Sequence, residues 1–184
     1  MYQMSPVAMQ RRPLALVGLS GSGKSTVARE LIARLQLPLH DTDALVVAAT
    51  GMPVAQLFAE RGEAAFRTLE TAALIAALTG TPAVIATGGG IVLRAANRRL
   101  LQANAFVVWL DAPDTTLLAR LLAHDEARPL LADDAAARLA ALRAARTPLY
   151  AEVAHLQVAT ANLTVAAVAA TIISAYKGRD GSQG

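Results

Sequence analysis

The run Gly18-Leu19-Ser20-Gly21-Ser22-Gly23-Lys24-Ser25-Thr26 fits the spacing G-x-x-x-x-G-K-[ST]. Small residues in such a loop let backbone N–H groups turn inward around a polyphosphate. A helix opening at Lys24 would aim its positive dipole end at the same anion. In that arrangement Lys24 reaches the outer phosphates and the Ser25 hydroxyl can ligate Mg²⁺. A cluster of Gly and Ser is otherwise a plain turn, so the flanks matter. Leu14–Val17 reads as a buried strand and 27–37 as a helix, the strand–loop–helix context that a phosphate loop needs. Lys24 is also one of only two lysines, beside Lys177, against fifteen arginines.

Four further groups have chemistry to offer. Asp41 and Asp43 flank Thr42 at the end of a short strand. A nucleotide-dependent transfer to an alcohol needs a carboxylate near the metal and an acceptor for the hydroxyl proton, and two carboxylates can divide those tasks. A turn or helix N-cap at Asp41 is the plain alternative. Gly88, Gly89 and Gly90 permit close backbone approach to a ligand and offer N–H groups; a strand-to-helix turn would need fewer glycines. Arg67 and Arg146 are a natural pair for a small carboxylate, although most of the fifteen arginines must simply be solvated. Arg128-Pro129-Leu130-Leu131 lies in a charged interruption at 124–134. It reads either as a flap that carries an arginine to the phosphates or as an ordinary surface loop. His40, His124 and His155 have no metal-ligand spacing.

These groups must be positioned by the elements around them. Short apolar runs at 37–40, 82–86, 106–110 and 156–159 alternate with helical patterns at 44–49, 63–79, 94–103, 138–153 and 163–176. Pro53 suits the first position of a helix that Gly62 ends. Strands alternating with helices predict an α/β fold with a parallel sheet and right-handed crossovers. The phosphate loop, Asp41/Asp43 and the glycines then follow strands one, two and three. All three fall at the carboxyl edge of the sheet, where such folds bind ligands.

The chain has 184 residues, enough for one domain with a sizeable core. We expect the domain at 13–176, a flexible extension at 1–12 and a flexible tail at 177–184. The hydrophobic fraction is 54%, yet no apolar run reaches the length of a membrane span. Arg11 and Arg12 precede an apolar run too short for a signal peptide, so no targeting segment is expected. Without cysteine, disulfides and thiolate metal sites are excluded, which fits a cytoplasmic protein. A net charge of +3 without basic–aromatic runs gives no sign of nucleic-acid binding.

Together the residues resemble the shikimate kinase family over nearly the whole chain, from about Leu14 to Thr160. The phosphate loop is common to many families. Specificity comes from the ordered set of Asp41-Thr42-Asp43, Gly62-Glu63-Ala64-Ala65-Phe66-Arg67, Gly88-Gly89-Gly90, Arg128-Pro129-Leu130-Leu131 and Arg146-Thr147-Pro148-Leu149-Tyr150. The resemblance implies a three-layer P-loop fold like that of nucleoside monophosphate kinases, with five parallel strands in the order 2-3-1-4-5. It implies transfer of the ATP γ-phosphoryl group to the 3-hydroxyl of shikimate. Asp43 would hold substrate hydroxyls and accept the proton, Arg67 and Arg146 would grip the carboxylate, and Gly88 to Gly90 would hold the ring beside Phe58 and Phe66. ATP would lie on Gly21, Ser22, Gly23, Lys24, Ser25 and Thr26, with Arg120 flanking the adenine. Lys24 and Arg128 would stabilise the moving charge, and Ser25 with Asp41 would serve Mg²⁺. The expected partners are shikimate and ATP, with neither nucleic acid nor membrane, and the expected state is a monomer. The sequence departs from the family after strand five, where Thr160-Ala161-Asn162-Leu163 replaces its usual Arg or Asn and Pro.

Other readings fit less of the chain. A gluconate or adenylylsulfate kinase would not call for Arg67, Arg146 and Asp41-Thr42-Asp43 together. A GTP-dependent switch would need an N-K-x-D segment, which is absent. A binding module without activity would not need every charged position filled.

Overall fold

The computed structural model describes residues 12–124 and 132–180. Five strands form one parallel sheet: β1 (Leu14–Val17), β2 (Leu39–Asp41), β3 (Val84–Ala86), β4 (Phe106–Asp111) and β5 (Leu156–Ala159), in the order β2-β3-β1-β4-β5. The predicted order 2-3-1-4-5 is the observed one. In register, Leu14 pairs with Val84 on one side and with Phe106 on the other. β1 is fully buried, as a central parallel strand must be, and its side chains divide by the two-residue period of a strand.

That alternation makes the layers. Leu14 and Leu16 point into a core shared with Val27 and Leu31 of α1 (Lys24–Leu35) and Val168 and Ile172 of α7 (Val165–Asp180). Ala15 and Val17 point the other way. Their core includes Leu74 of α3 (Val54–Leu78), Leu101 of α4 (Ala95–Asn104), Leu117 of α5 (Asp114–His124) and Tyr150 of α6 (Ala132–Val153). A smaller cluster of Val46, Leu57, Phe66 and Ala73 joins α2 (Thr42–Thr50) to α3.

One expected boundary is kept and others differ from the sequence reading. Gly62 (φ 77°) breaks α3 where a helix end was expected. Ile91–Leu93 makes a turn of 3₁₀ helix before α4 that periodicity cannot reveal at so short a length. α7 runs to Asp180, past the expected start of the tail at residue 177. No single helix among the described residues is long and apolar enough to cross a membrane.

Candidate active site

The phosphate loop lies between the end of β1 and the start of α1. Gly23 takes a left-handed conformation (φ 95°) at the α1 N-cap, and α1 begins at Lys24 itself. The first-turn N–H groups of α1 therefore have no earlier helical partners and are available to an anion. The Lys24 ammonium folds back on the loop, donating to the carbonyls of Gly18 (2.8 Å) and Leu19 (2.9 Å). Its third N–H remains for a ligand. Burial lowers the Lys24 pKa to about 8, against the opposing pull of Asp43 and Asp41.

The loop opens on a cleft of about 520 Å³. Gly21, Ser22, Gly23, Lys24, Ser25 and Thr26 line one side. Asp41, Asp43, Gly88 and Gly89 line another, as the carboxyl ends of β2 and β3 bring them there. Arg120, Thr160, Leu163 and Val165 complete the third. Arg120 donates to the Gly21 carbonyl (3.2 Å), the Thr160 hydroxyl (3.2 Å) and the Thr160 carbonyl (3.2 Å), tying the phosphate loop to the loop after β5.

Asp41 and Asp43 have different surroundings. The Asp41 Oδ1 accepts from the N–H groups of Asp43 (2.9 Å) and Ala44 (3.1 Å), so Asp41 is the N-cap of α2 and also lines the cleft. The Asp43 Oδ1 is buried without a hydrogen-bond partner. Desolvation, and then the neighbouring Asp41 charge, raise the Asp43 pKa above the ordinary carboxylate value. An orphaned carboxylate oxygen in a polar cleft is a group held ready for a ligand.

The glycines make room rather than simply present N–H groups. The Gly88 N–H is already committed to the Thr42 hydroxyl (3.0 Å), so one of the three N–H groups expected to be on offer is used within the fold. A Cβ on Gly88 would stand 2.7 Å from the Asp43 Oδ1 and 3.0 Å from the Glu70 Oε1. A Cβ on Gly90 would collide with the Arg67 guanidinium, and one on Gly89 would lie 3.5 Å from Nη1 of Arg146. Arg67, Arg146 and Gly90 do not line the 520 Å³ cleft; both arginines flank the same glycines beside it.

Arg67 is held on several sides. It pairs with Glu70 (2.8 Å) and Glu63 (3.0 Å), and its guanidinium lies 5.2 Å from the Phe66 ring centre and 5.9 Å from that of Phe58. The Glu70 side chain is fully buried, and its Oε1 has no partner. Burial pushes the Glu70 pKa up, against the pull of Arg67. The Tyr150 hydroxyl donates to the Gly89 carbonyl at 2.5 Å, and burial raises its pKa to about 12.

Glu70, Thr42 and Tyr150 were given no role in the sequence reading. Only Glu70 left a usable signal: it is a charge within the otherwise apolar stripe Phe66, Ala73, Ala77. Thr42 and Tyr150 act through backbone groups distant in sequence, for which spacing offers no cue. Arg128, with Pro129, Leu130 and Leu131, lies outside the described residues.

A five-stranded parallel sheet in this order, with a phosphate loop after β1 and carboxylates after β2, defines a small-molecule kinase of the P-loop class. A family-wide profile described as Shikimate kinase matches residues 20–177. The chain is 45% identical over 168 residues to a shikimate kinase of Symbiobacterium thermophilum, covering 90% of this chain and 97% of that one. It is 48% identical over 166 residues to one of Halorhodospira halophila, covering 89% and 93%. The solved shikimate kinase from Acinetobacter baumannii in complex with shikimate superposes with a TM-score of 0.85 at 34% identity, covering 94% of this chain and 96% of that one. The chain belongs to the shikimate kinase family and is an ATP-dependent kinase.

Proposed function

We propose that the chain transfers the γ-phosphoryl group of ATP to the 3-hydroxyl of shikimate, and that the site divides the work as follows. The loop from Gly21 to Thr26 and the N-terminus of α1 hold the phosphates. Arg120, Leu163 and Val165 form the end of the cleft where adenine rests, so that apolar and backbone contacts replace the missing Arg/Asn-Pro segment. Arg67 and Arg146 hold the shikimate carboxylate. Gly88 and Gly89 form the floor on which the ring lies.

Asp43 carries this reading. Its buried, unpartnered Oδ1 faces the space over Gly88, in the cleft that also holds Lys24. It accepts the proton from the substrate 3-hydroxyl as that oxygen attacks phosphorus. The leaving oxygen departs on ADP, and Lys24 stabilises charge on the group in transit. Arg128 is assigned the same charge-stabilising task from the family resemblance. The reaction needs positioning and charge more than covalent help from the protein.

The residues present fit Mg²⁺. The exposed Ser25 hydroxyl and the Asp41 oxygen that does not cap α2 are hard oxygen donors at the phosphate end of the cleft. No group of three or more His, Cys, Asp or Glu that could hold a metal occurs among the described residues. Such a donor set suits an ion that keeps several waters and shares the nucleotide's phosphates. When bound, Mg²⁺ neutralises charge on the β- and γ-phosphates. Asparagine keeps the capping oxygen, so Asp41→Asn should leave the melting temperature close to parental and raise the free Mg²⁺ needed for half-maximal rate. A titration of rate against free Mg²⁺ checks this, and an unchanged requirement would leave Asp41 as a cap only.

Substrate choice is tested with purified protein, Mg·ATP and a panel of hydroxy acids and neutral polyols, scored by ADP release. Shikimate should be preferred. Arg67→Ala and Arg146→Ala should each raise the KM for shikimate by about 10–100-fold, the loss expected of a charge-assisted hydrogen-bond pair. The KM for ATP should change little. Parental shikimate kinetics in both variants would reject the carboxylate assignment.

A further inference from the structure

α6 carries a stripe at Leu139, Arg143, Arg146, Tyr150 and Val153, spaced three and four residues apart and therefore on one face. Leu139, Tyr150 and Val153 are buried in the core. Arg143 occupies a position of that stripe where an apolar residue would ordinarily pack. Each of its three guanidinium nitrogens donates one bond at the corner between β4 and α5. Nη1 donates to Asp111 Oδ1 (2.9 Å), Nε to Asp114 Oδ1, and Nη2 to the Ala112 carbonyl. Asp111 is itself fixed, because its Oδ1 accepts from the Ala112 N–H at 2.9 Å.

The second anchor of α6 is Tyr150, through its hydroxyl on the Gly89 carbonyl. Pro148 lies between the two anchors. It can donate no backbone hydrogen bond to the carbonyl four residues earlier, so the helix is weakest between Arg143 and Tyr150. Arg146 is in that stretch, about one turn from each anchor. With the backbone weakened locally, the two anchors fix where the Arg146 guanidinium sits against Gly89.

We propose that Arg143 is a positioning residue for the acceptor: its threefold clasp on Asp111, Ala112 and Asp114 holds Arg146 in register with the Gly88-Gly89-Gly90 floor. Arg143 does not line the cleft. Its effect passes through Arg146, so the inference rests on the reading that Arg146 grips the shikimate carboxylate.

Steady-state kinetics on the purified chain test it. Arg143→Ala should raise the shikimate KM about 5–20-fold, since small misplacements of a positioning group can cost up to about 100-fold. The KM for ATP and kcat should stay within about twofold, because the phosphate loop is untouched. In an Arg146→Ala background the same substitution should add nothing to the shikimate KM, the non-additivity expected of two residues acting through one contact. Arg143→Lys keeps the charge without the planar fork and should fall between parent and alanine. Asp114→Asn keeps an oxygen acceptor for the Arg143 Nε without the charge and should shift the KM less, in the same direction. It serves if Arg143→Ala does not fold. A lowered melting temperature with parental shikimate KM in Arg143→Ala, beside a raised KM in Arg146→Ala, would overturn the clasp alone. Undiminished effects of Arg143→Ala in the Arg146→Ala background would overturn it too. A parental KM in Arg146→Ala would overturn the underlying reading, and the clasp with it.

Discussion

Lys24→Ala should lower kcat by about 10²–10⁴-fold, the range for removing one preorganised charge from a phosphoryl or oxyanion transition state. The fold should survive, since among the described residues Lys24 is bonded only to carbonyls of its own loop. The pH dependence of the parent should carry the same signature. Burial places the free-enzyme Lys24 pKa at about 8. As pH rises through that value, the ammonium that meets the phosphates is lost, so kcat/KM for ATP should fall. Bound phosphate stabilises the charged form, so the alkaline limb of kcat should lie at higher pH than that of kcat/KM. ATP binding near pH 8 should therefore take up protons, which calorimetry in buffers of different ionisation enthalpy can count. Parental turnover in Lys24→Ala would reject its role. Coincident alkaline limbs with no proton uptake would reject the titration argument.

Asp43→Asn should cost a similar 10²–10⁴-fold in kcat, the usual contribution of a positioned general base. Its pH behaviour follows from the direction of its shift. The raised Asp43 pKa means that the base form is lost at higher pH than for an ordinary aspartate. The acid limb of kcat/KM should sit above the ordinary carboxylate value of about 4 and should disappear in Asp43→Asn. For stability the sign is opposite to that of a salt-bridged carboxylate. A group whose folded pKa is raised contributes stability below the unfolded pKa and loses it as pH rises through the folded one. At neutral pH the ionised Asp43 therefore burdens the ligand-free fold. Asp43→Asn should melt at the parental temperature or above while being nearly inactive, the trade expected where function requires an unpartnered buried charge. A variant that melts well below the parent would identify Asp43 as a structural residue. One that keeps the acid limb would place the proton acceptor elsewhere.

Glu70 bears on the second result. It is fully buried, paired through one oxygen to Arg67, and its other oxygen faces the space over Gly88 beside Asp43. The Asp43 charge raises the Glu70 pKa further, after burial and against the opposing pull of Arg67. Cationic Arg67 is therefore part of what keeps both acids ionised. This gives Arg67 an electrostatic task beside its proposed hold on the substrate.

The strand order came with the family resemblance; the sequence's own patterns determined the parallel α/β fold, the phosphate loop and the placement of Asp41, Asp43 and Gly88 to Gly90 on one edge. Those follow from local patterns: a fully apolar four-residue strand, glycines at fixed offsets, and the rule that sites form beyond the carboxyl ends of parallel strands. Tertiary structure decided how the groups differ. Two aspartates separated by one residue became a capped carboxylate and an orphaned one, because only Asp41 meets the first-turn N–H groups of α2. The glycine run became a floor cleared for Asp43, Glu70 and Arg67, its first N–H already taken by Thr42, across 46 residues of chain. Arg143 and Tyr150 became anchors because their partners, Asp111, Ala112, Asp114 and Gly89, lie 29 to 61 residues away. Spacing encodes what a residue can do within a few turns of its own helix. Burial and long-range partners, which set charge and position, exist only once the sheet has brought distant segments together.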